Sequence, residues 1–292
     1  MPDAELQDPC QSLHPAGAGC PPSKGFLEGL YRRYHRPEHL SPDPLEFVRR
    51  FRDPGDGEVA GVVAAALAYG RVEQIVAHLD RVFSVLGPSP SAFLAGTAPG
   101  ELRSTCRGLA YRFHKGEDLA LLLHLLGQAR DRWGSLGALF RAGDTEAEVG
   151  PALSAFCRTL LGQDARPVLR TRSIPPGHPV RHLLAGPGRG GAAKRLCLFL
   201  RWMVRKDALD PGFWFGAVDP ARLVIPLDTH VARVGRALGF TERRSPDWRC
   251  ACQITEALRR YDPQDPVRYD FSLFRYGMAG GAGQAAASGA DT

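Results

Sequence analysis

The chain has 292 residues, of which 44% are hydrophobic, and a formal net charge of +6. This length can bury a substantial core, and no apolar run approaches the roughly 20 residues that a membrane-spanning helix needs, so we expect a soluble protein without a membrane partner. Its seven cysteines are odd in number and include no C-x-x-C, which suits a reducing compartment and argues against structural zinc or a four-cysteine iron–sulfur cluster.

The chain predicts two helical lobes between two tails. Residues 1–24 are rich in proline, glycine and alanine and lack the blocks of a signal peptide, so they are predicted to be a disordered tail. Residues 25–164 are the predicted N-terminal lobe, because apolar residues recur there at helical spacing. The predicted helices of this lobe are 27–33, 45–51, 58–67, 72–86, 118–130, 136–140 and 149–161.

Residues 165–191 are basic and rich in glycine and proline, and they are predicted to form a connection with a hairpin-like loop and a short helix at 180–184. The C-terminal lobe, residues 192–278, carries the candidate chemistry. Residues 279–292 are a second predicted disordered tail. The predicted helices of the C-terminal lobe are 192–206, 229–238, 247–261 and 266–278. Since no period-two alternation competes with these patterns, the predicted fold class is all-α.

A long basic stretch begins in the connection. From Ala165 to Lys206 there is no Asp or Glu. A solvated basic surface explains many such runs, but the position of this one, directly upstream of the motif described below, favours contact with a polyanion. The basic residues in the stretch are Arg166, Arg170, Arg172, Arg181, Arg189, Lys194, Arg195, Arg201, Arg205 and Lys206.

Lys194 is unusual in a chain that has only four lysines among 37 basic residues. Arginine does not lose its proton at accessible pH, whereas a lysine crowded by cations can become a neutral amine and a nucleophile. Helical spacing places Lys194 on one stripe with Arg201 and Arg205, and these guanidinium groups and the adjacent Arg195 would favour the neutral amine. The alternative is that Lys194 only binds phosphate.

Asp228 immediately precedes an amphipathic helix in the segment IPLDTHVARVGRALGF, residues 225–240. An N-cap role alone explains an aspartate there. The apolar entry through Ile225 and Pro226 would also hold the carboxylate rigid and shielded, so that it could face an electron-poor carbon across a cleft. Asp228 and His230 could supply two metal ligands, but no third ligand stands at supporting spacing, so we expect no metal.

The segment IPLDTHVARVGRALG resembles the V-D-T-H-V-x-R-V-x-x-R-L-G segment of the helix-hairpin-helix DNA glycosylase superfamily. The resemblance, which covers about residues 184–278, implies that Asp228 is the essential carboxylate and Lys194 the lysine of strand-cutting members; Gly277 matches a glycine of the last helix. KRLCLFLRWMVRKD, IPLDTH, AYGR and YRF also resemble a bacterial family of helical proteins without assigned function, over about residues 25–278.

The hairpin departs from the superfamily pattern. Where that pattern reads L-P-G-V-G-x-x-T-A, this chain has LLAGPGRGGAAKRL, and the spacing from Lys194 to Asp228 is longer and similar to that of an archaeal 8-oxoguanine glycosylase branch. The C-terminal cysteine cluster of some members is absent, so no cofactor is expected. The residues expected to contact DNA are Arg172, Gly186, Gly188, Arg189, Gly190, Arg195, Arg201, Arg205 and His230.

The function implied by the resemblance is a DNA repair glycosylase with AP-lyase activity, which binds double-stranded DNA in a cleft between the lobes and excises an oxidised purine such as 8-oxoguanine. The alternatives are a non-catalytic DNA- or RNA-binding protein on the same scaffold and a metal-dependent hydrolase that uses Asp228 and His230. We expect a monomer in the cytoplasm, associated with the nucleoid. The candidates for the base pocket, several of which also fit core-facing helical stripes, are Tyr69, Arg71, Arg112, Trp202, Asp270 and Phe274.

Overall fold

The computed structural model describes residues 21–145 and 148–280, and within these ranges it contains helices and isolated bridges but no strand, which confirms the all-α class. No helix in these ranges combines the length and apolarity that crossing a bilayer requires. The helices are α1 (Lys24–Tyr34), α2 (Leu45–Val48), α3 (Pro54–Leu67), α4 (Val72–Leu86), α5 (Pro90–Gly96), α6 (Pro99–Thr105), α7 (Gly116–Trp133), α8 (Leu136–Ala142), α9 (Val149–Leu161), α10 (Arg166–Leu169), α11 (Val180–Leu183), α12 (Lys194–Val204), α13 (Thr229–Ala237), α14 (Trp248–Arg259) and α15 (Asp270–Met278).

The predicted helices are present with shifts of a few residues, but three helices were not predicted. These are α5, α6 and α10, each with a proline in its first turn, where proline is tolerated because the N–H it lacks has no partner inside the helix. They have seven residues or fewer. So short a helix does not show a hydrophobic period, whereas its proline suggests a loop.

The predicted tails fall largely outside the described residues, which begin at residue 21 and end at residue 280. The predicted N-terminal tail extends slightly too far. Ser23 caps α1 by accepting a hydrogen bond from the Phe26 N–H, and the hydroxyl of Tyr261 donates to the Pro22 carbonyl at 2.8 Å. Helix α1 then packs against α15, so this first described helix lies on the C-terminal part of the fold. The division into two lobes stays a prediction.

Helix α3 is the centre of the core and determines the position of α12. All its residues from Asp56 to Leu67 are buried. Gly61 lets α12 approach closely, because a Cβ on Gly61 would lie 2.7 Å from Met203 Cε and 3.1 Å from Phe199 Cδ2. Such close approach fixes α12, and with it the first residue of that helix, Lys194.

Buried Glu58 ties α3 to the start of α8. Its Oε2 accepts the Leu136 N–H at 2.8 Å, while Oε1 accepts the Gly137 N–H at 2.8 Å and the Trp214 indole N–H at 2.7 Å. The carboxylate therefore accepts hydrogen bonds from two backbone N–H groups in the first turn of α8. These groups have no acceptor within the helix itself. A side chain at Gly137 would collide with this group, since its Cβ would lie 2.8 Å from Trp214 Nε1.

Glu58→Gln is expected to lower the free energy of unfolding by about 2–4 kcal/mol, because glutamine offers one acceptor oxygen and turns an N–H group towards donors that need acceptors. Urea denaturation followed by circular dichroism measures the change. The matched control is Asp53→Asn at the exposed N-cap of α3, where asparagine also accepts the Asp56 N–H, and its effect should stay within about 0.5 kcal/mol. An unchanged unfolding midpoint for Glu58→Gln would contradict the role assigned to the carboxylate.

Helix α13 is held by glycines at its contacts with two other helices. A Cβ on Gly277 of α15 would lie 3.0 Å from Val234 Cγ2 and 3.1 Å from His230 Cβ, and a Cβ on Gly235 would lie 2.7 Å from Ile254 Cδ1 of α14. Glycine at both positions lets the helices pack at short distance. The start of α13, where Asp228 lies, is therefore fixed from both sides.

Candidate active site

A cavity of about 610 Å³ lies beside the first residues of α12 and α13. Its wall combines residues 68–73 with Ile75, one face of α12, the start of α13, parts of α15 and the Asp43–Pro44 segment. Its volume falls in the range of roughly 300–1,000 Å³ that is usual for sites binding small molecules. The mixed wall of aromatic and charged side chains makes this cavity the candidate active site.

Lys194 and Asp228 meet at this cavity although they are far apart in the sequence. Lys194 Nζ lies 3.4 Å from Asp228 Oδ2, and the two side chains are 35% and 13% exposed. The other oxygen of Asp228, Oδ1, accepts the Val231 N–H at 2.8 Å and so caps α13. One carboxylate therefore caps its helix and faces the lysine at the same time.

Backbone geometry brings Lys194 to the cavity. Ala193 adopts a left-handed conformation, with φ of 50° and ψ of 30°, and turns the chain into α12 so that Lys194 is the first helical residue. From there, four residues at helical spacing line the cavity: Lys194, Leu198, Arg201 and Trp202. Helix α12 thus supplies the amine and part of the wall from one face.

The structure shows that Arg201 and Arg205 are not surface cations of the basic stretch, as their expected DNA contact had assumed. They are only 3% and 4% exposed. Arg201 donates to Asp210 at 3.2 Å and to Asp270, while Arg205 donates to Asp210 and to both oxygens of Asp265. The guanidinium groups of Arg201 and Arg205, two of the three expected to crowd Lys194, are therefore paired with carboxylates. The charge paired with Lys194 is the carboxylate of Asp228.

Arg195 is partly exposed, and its guanidinium is held by contacts within the protein. Its guanidinium lies over the Tyr69 ring, 5.4 Å from the centroid, and donates to the Ala66 carbonyl at 3.1 Å and to the His182 carbonyl. Burial lowers the pKa of Arg195 to about 10. The side chain braces α12 against the end of α3 and the loop that follows it.

The remaining predicted DNA contacts occupy different environments. Arg172 is exposed, as are Gly188, which lies within a 3₁₀ turn at Pro187–Arg189, and Gly190, which follows that turn. Gly186 is buried against α9, and the side chain of Arg189 lies outside the described part of the structure. His230 lines the cavity with its ring edge-on to Phe274, at a centroid distance of 5.7 Å.

Five of the six base-pocket candidates line the same cavity as Lys194, and the sixth lies beside it. Trp202 is fully buried and also belongs to the core, whereas Tyr69 and Phe274 are partly exposed. Arg112 packs next to the lining residue Gly70, since a Cβ on that glycine would lie 2.9 Å from Arg112 Nη1. The five that line the cavity are Tyr69, Arg71, Trp202, Asp270 and Phe274.

Besides Glu73, Asp228 and Asp270, the wall contains the carboxylate of Asp43, which sequence reasoning missed. Its Oδ1 accepts the Leu45 N–H at 2.9 Å, and burial raises its pKa. A carboxylate between the two prolines of SPDP was a usable signal, because such a segment is an ordered turn. Burial also raises the pKa of Asp270 to about 6, although the Arg201 guanidinium opposes the rise.

Sequence reasoning also left Phe113 without a role. It is 56% exposed on a tight turn closed by two hydrogen bonds between the backbones of Tyr111 and His114. The turn is strained, because Arg112 adopts a positive φ of 53°. The Phe113 ring lies 5.5 Å from the ring of Tyr69, a residue of the cavity wall. The YRF pattern at 111–113 was the only feature of the sequence that pointed to this turn.

Among the described residues, no group of three or more His, Cys, Asp or Glu side chains could hold a metal ion. Asp228 and His230 therefore have no third protein ligand in this part of the chain. The arrangement offers an amine, a carboxylate fixed beside it, and a walled space next to both.

Comparisons with known proteins identify the family of the chain. No curated protein and no solved structure matches the chain. One family model, described as a protein of unknown function (DUF2400), matches residues 43–279, a span that includes every residue lining the cavity. Because this match covers most of the chain, the protein belongs to the DUF2400 family.

Proposed function

We propose that the protein is a DNA glycosylase with AP-lyase activity that excises an oxidised purine through a covalent lysine intermediate. The observation that carries the proposal is the 3.4 Å separation of Lys194 Nζ and Asp228 Oδ2 at a cavity of about 610 Å³. An amine and a fixed carboxylate beside a space for a planar base are the groups this chemistry requires. The resemblance to helix-hairpin-helix glycosylases supports the same roles.

The proposed substrate is double-stranded DNA, bound by the protein as a monomer in a cleft between two helical lobes. The sugar carbon C1′ cannot be reached inside a duplex, so the damaged nucleotide leaves the stack and enters the cavity. Exposed arginines beside the cavity, Arg71 and Arg112, supply cations for the phosphates, and Arg172 is a more distant candidate. Tyr69 and Phe274 offer faces on which the base can stack.

The first covalent step forms a bond from Lys194 to the sugar. Lys194 gives up a proton, for which Asp228 Oδ2 is the nearest carboxylate acceptor, and Nζ attacks C1′. The bond from C1′ to the base nitrogen breaks, and its electron pair leaves with the base, which takes up a proton. Asp228 stabilises the positive charge that develops on the sugar.

The second stage cuts the strand. The C1′–O4′ bond breaks with its electron pair on O4′, which gains a proton, and leaves an imine between Nζ and C1′. Loss of a proton from C2′ then expels the 3′ phosphate as the C3′–O3′ bond breaks, and water hydrolyses the imine to release Lys194. Reduction of the imine by borohydride would make the link permanent.

Borohydride trapping tests the proposal. The protein is mixed with a duplex that carries 8-oxoguanine or an abasic site, borohydride is added, and the covalent adduct is measured by denaturing electrophoresis. An adduct that depends on Lys194 is expected. Tight, salt-dependent binding without any adduct would favour a non-catalytic nucleic-acid-binding protein instead. Loss of activity on addition of a chelator would favour the metal-dependent hydrolase.

Phe113 is proposed to fill the space that the extruded nucleotide leaves. Apolar side chains inserted between base pairs stabilise unstacked duplexes, and Phe113 is an exposed aromatic side chain one ring away from the cavity wall. Its turn is well supported, since Tyr111 Oη donates to the Tyr69 carbonyl at 2.6 Å and the Phe113 ring contacts His114 and His182. A rigid support of this kind suits a side chain that must push into a stack.

Phe113→Ala is expected to slow excision from duplex DNA by about tenfold to a hundredfold, because one stacking contact is worth about 1–3 kcal/mol. The loss should be much smaller for trapping on a single-stranded abasic oligonucleotide, which has no stack to open. Phe215→Ala is the matched control, since Phe215 is 63% exposed but does not line the cavity. Equal losses on duplex and single strand, or equal effects of the two variants, would count against the wedge.

A further inference from the structure

We propose that the cavity selects 6-oxopurines and that the Arg201–Asp270 ion pair reads the edge of the extruded base. This inference rests on the proposed glycosylase function and specifies the class of base that the same site accepts. It assigns a role in base specificity to two buried residues, Arg201 and Asp270.

Arg201 is held by Asp210, which does not line the cavity, and Asp270 is held by Arg201. Arg201 Nε donates to Asp210 Oδ1 at 3.2 Å, and Nη2 lies 3.1 Å from the same oxygen. Arg201 Nη1 donates one N–H to Asp270 Oδ2. Both side chains are buried and both line the cavity. Because α12 and α15 carry them, their positions depend on rigid elements rather than on a loop.

The ion pair leaves one acceptor and one donor without partners among the described residues. Asp270 Oδ2 is occupied by Arg201, whereas no described group donates a hydrogen bond to Oδ1. A guanidinium Nη1 carries two N–H bonds, and only one of them is used here. A bound base that covers these groups without pairing with them carries a cost, so a base that supplies a matching donor and acceptor binds with an advantage.

A 6-oxopurine has this pattern on its pairing edge. Its O6 can accept the second N–H of Arg201 Nη1 while its N1–H donates to Asp270 Oδ1. An adenine-type base reverses both groups, because its 6-amino N–H would face the guanidinium and its unprotonated N1 would face the carboxylate. Sites built around buried hydrogen-bonding groups reject mismatched ligands strongly, since the mismatch leaves those groups unpaired.

Three duplexes of one sequence test the proposal under single-turnover conditions, with 8-oxoguanine, 8-oxohypoxanthine or 8-oxoadenine as the target base. The three bases share the 8-oxo group, and only 8-oxoadenine lacks the O6 and N1–H pattern. The assay is run at pH 7.5, above the pKa of about 6 to which burial raises Asp270, so that the carboxylate is ionised. Each excision rate is divided by the rate of adduct formation at an abasic site, which has no base to be read.

Wild-type protein is expected to excise the two 6-oxopurines at rates within about tenfold of each other and 8-oxoadenine at least about 100-fold more slowly. Asp270→Asn should reduce this discrimination below about tenfold, because its amide can donate to N1 of 8-oxoadenine. Asp265→Asn is the matched control, since Asp265 pairs with Arg205 in the same network but does not line the cavity, and it should keep the wild-type ratio.

Comparable excision of 8-oxoadenine and 8-oxoguanine by wild-type protein would overturn the 6-oxopurine selectivity alone, and this result does not depend on whether any variant folds. An unchanged ratio for folded Asp270→Asn would also overturn it. Failure of wild-type protein to form an adduct at the abasic site would overturn the proposed function, and the selectivity with it.

Discussion

Lys194→Gln is expected to abolish the borohydride-trapped adduct while most of the DNA affinity remains. A glutamine amide is not a nucleophile and cannot form an imine with C1′, so no covalent species is available for reduction. Glutamine keeps most of the length of the side chain, and its amide can still donate a hydrogen bond to Asp228. The measurements are adduct yield on abasic DNA and binding by fluorescence anisotropy at constant salt, because phosphate contacts are salt-dependent.

The small number of lysines makes this prediction easy to control. Lys206→Gln removes another exposed lysine of the same basic stretch, one that lies over the Phe215 ring at 5.8 Å and not at the cavity. Its adduct yield should equal that of the wild type. If Lys194→Gln formed the adduct at the wild-type rate, another amine would be the nucleophile. The proximity of Lys194 and Asp228 would then not reflect a catalytic pair.

Local sequence rules predicted the part of the site that depends on local structure. An aspartate directly before an amphipathic helix predicts an N-cap, and Asp228 Oδ1 does accept the Val231 N–H. The same rules cannot place a residue of one helix beside a residue of another, because a contact between distant segments depends on the packing of the whole chain. The expectation that Lys194 faces Asp228 came from a family resemblance, and the structure brings the two side chains together.

The misassigned arginines show where local reasoning fails. The stretch from Ala165 to Lys206 contains no acidic residue, so Arg201 and Arg205 resembled surface cations. Their partners lie just beyond it, at Asp207 and Asp210, or much further along the chain, at Asp265 and Asp270. Only the folded chain brings these carboxylates around α12. Buried charges are nearly always paired, and the pairing explains how arginine can lie in this core.

One helix face connects the proposed chemistry with the proposed selectivity. Lys194 and Arg201 line the cavity from the same side of α12. Gly61 of α3 lets α12 pack closely against α3. A shift of α12 would move the amine and the base-reading pair together. The close packing of α3 and α12 therefore sets the geometry of both steps, attack on the sugar and recognition of the base.

Asp228→Asn is expected to slow base release by about 10²–10³-fold with little loss of stability, because removing one group that stabilises a developing charge has an effect of this order. Asparagine is as good an N-cap as aspartate, so the hydrogen bond to the Val231 N–H can be kept while the negative charge beside the sugar is lost. Single-turnover excision measures the rate, and thermal unfolding shows that α13 remains capped.

Asp247→Asn is the matched control, because Asp247 makes the same kinds of contact as Asp228 but does not line the cavity. Its Oδ1 accepts the Cys250 N–H at 2.8 Å and caps α14, and its other oxygen pairs with Arg243. Both substitutions remove a carboxylate that caps a helix and faces a cation, but only Asp228 lies at the cavity wall. If the Asp228→Asn variant released the base as fast as the Asp247→Asn variant, Asp228 would act only as a helix cap. Its negative charge at the start of α13 would then have no part in catalysis.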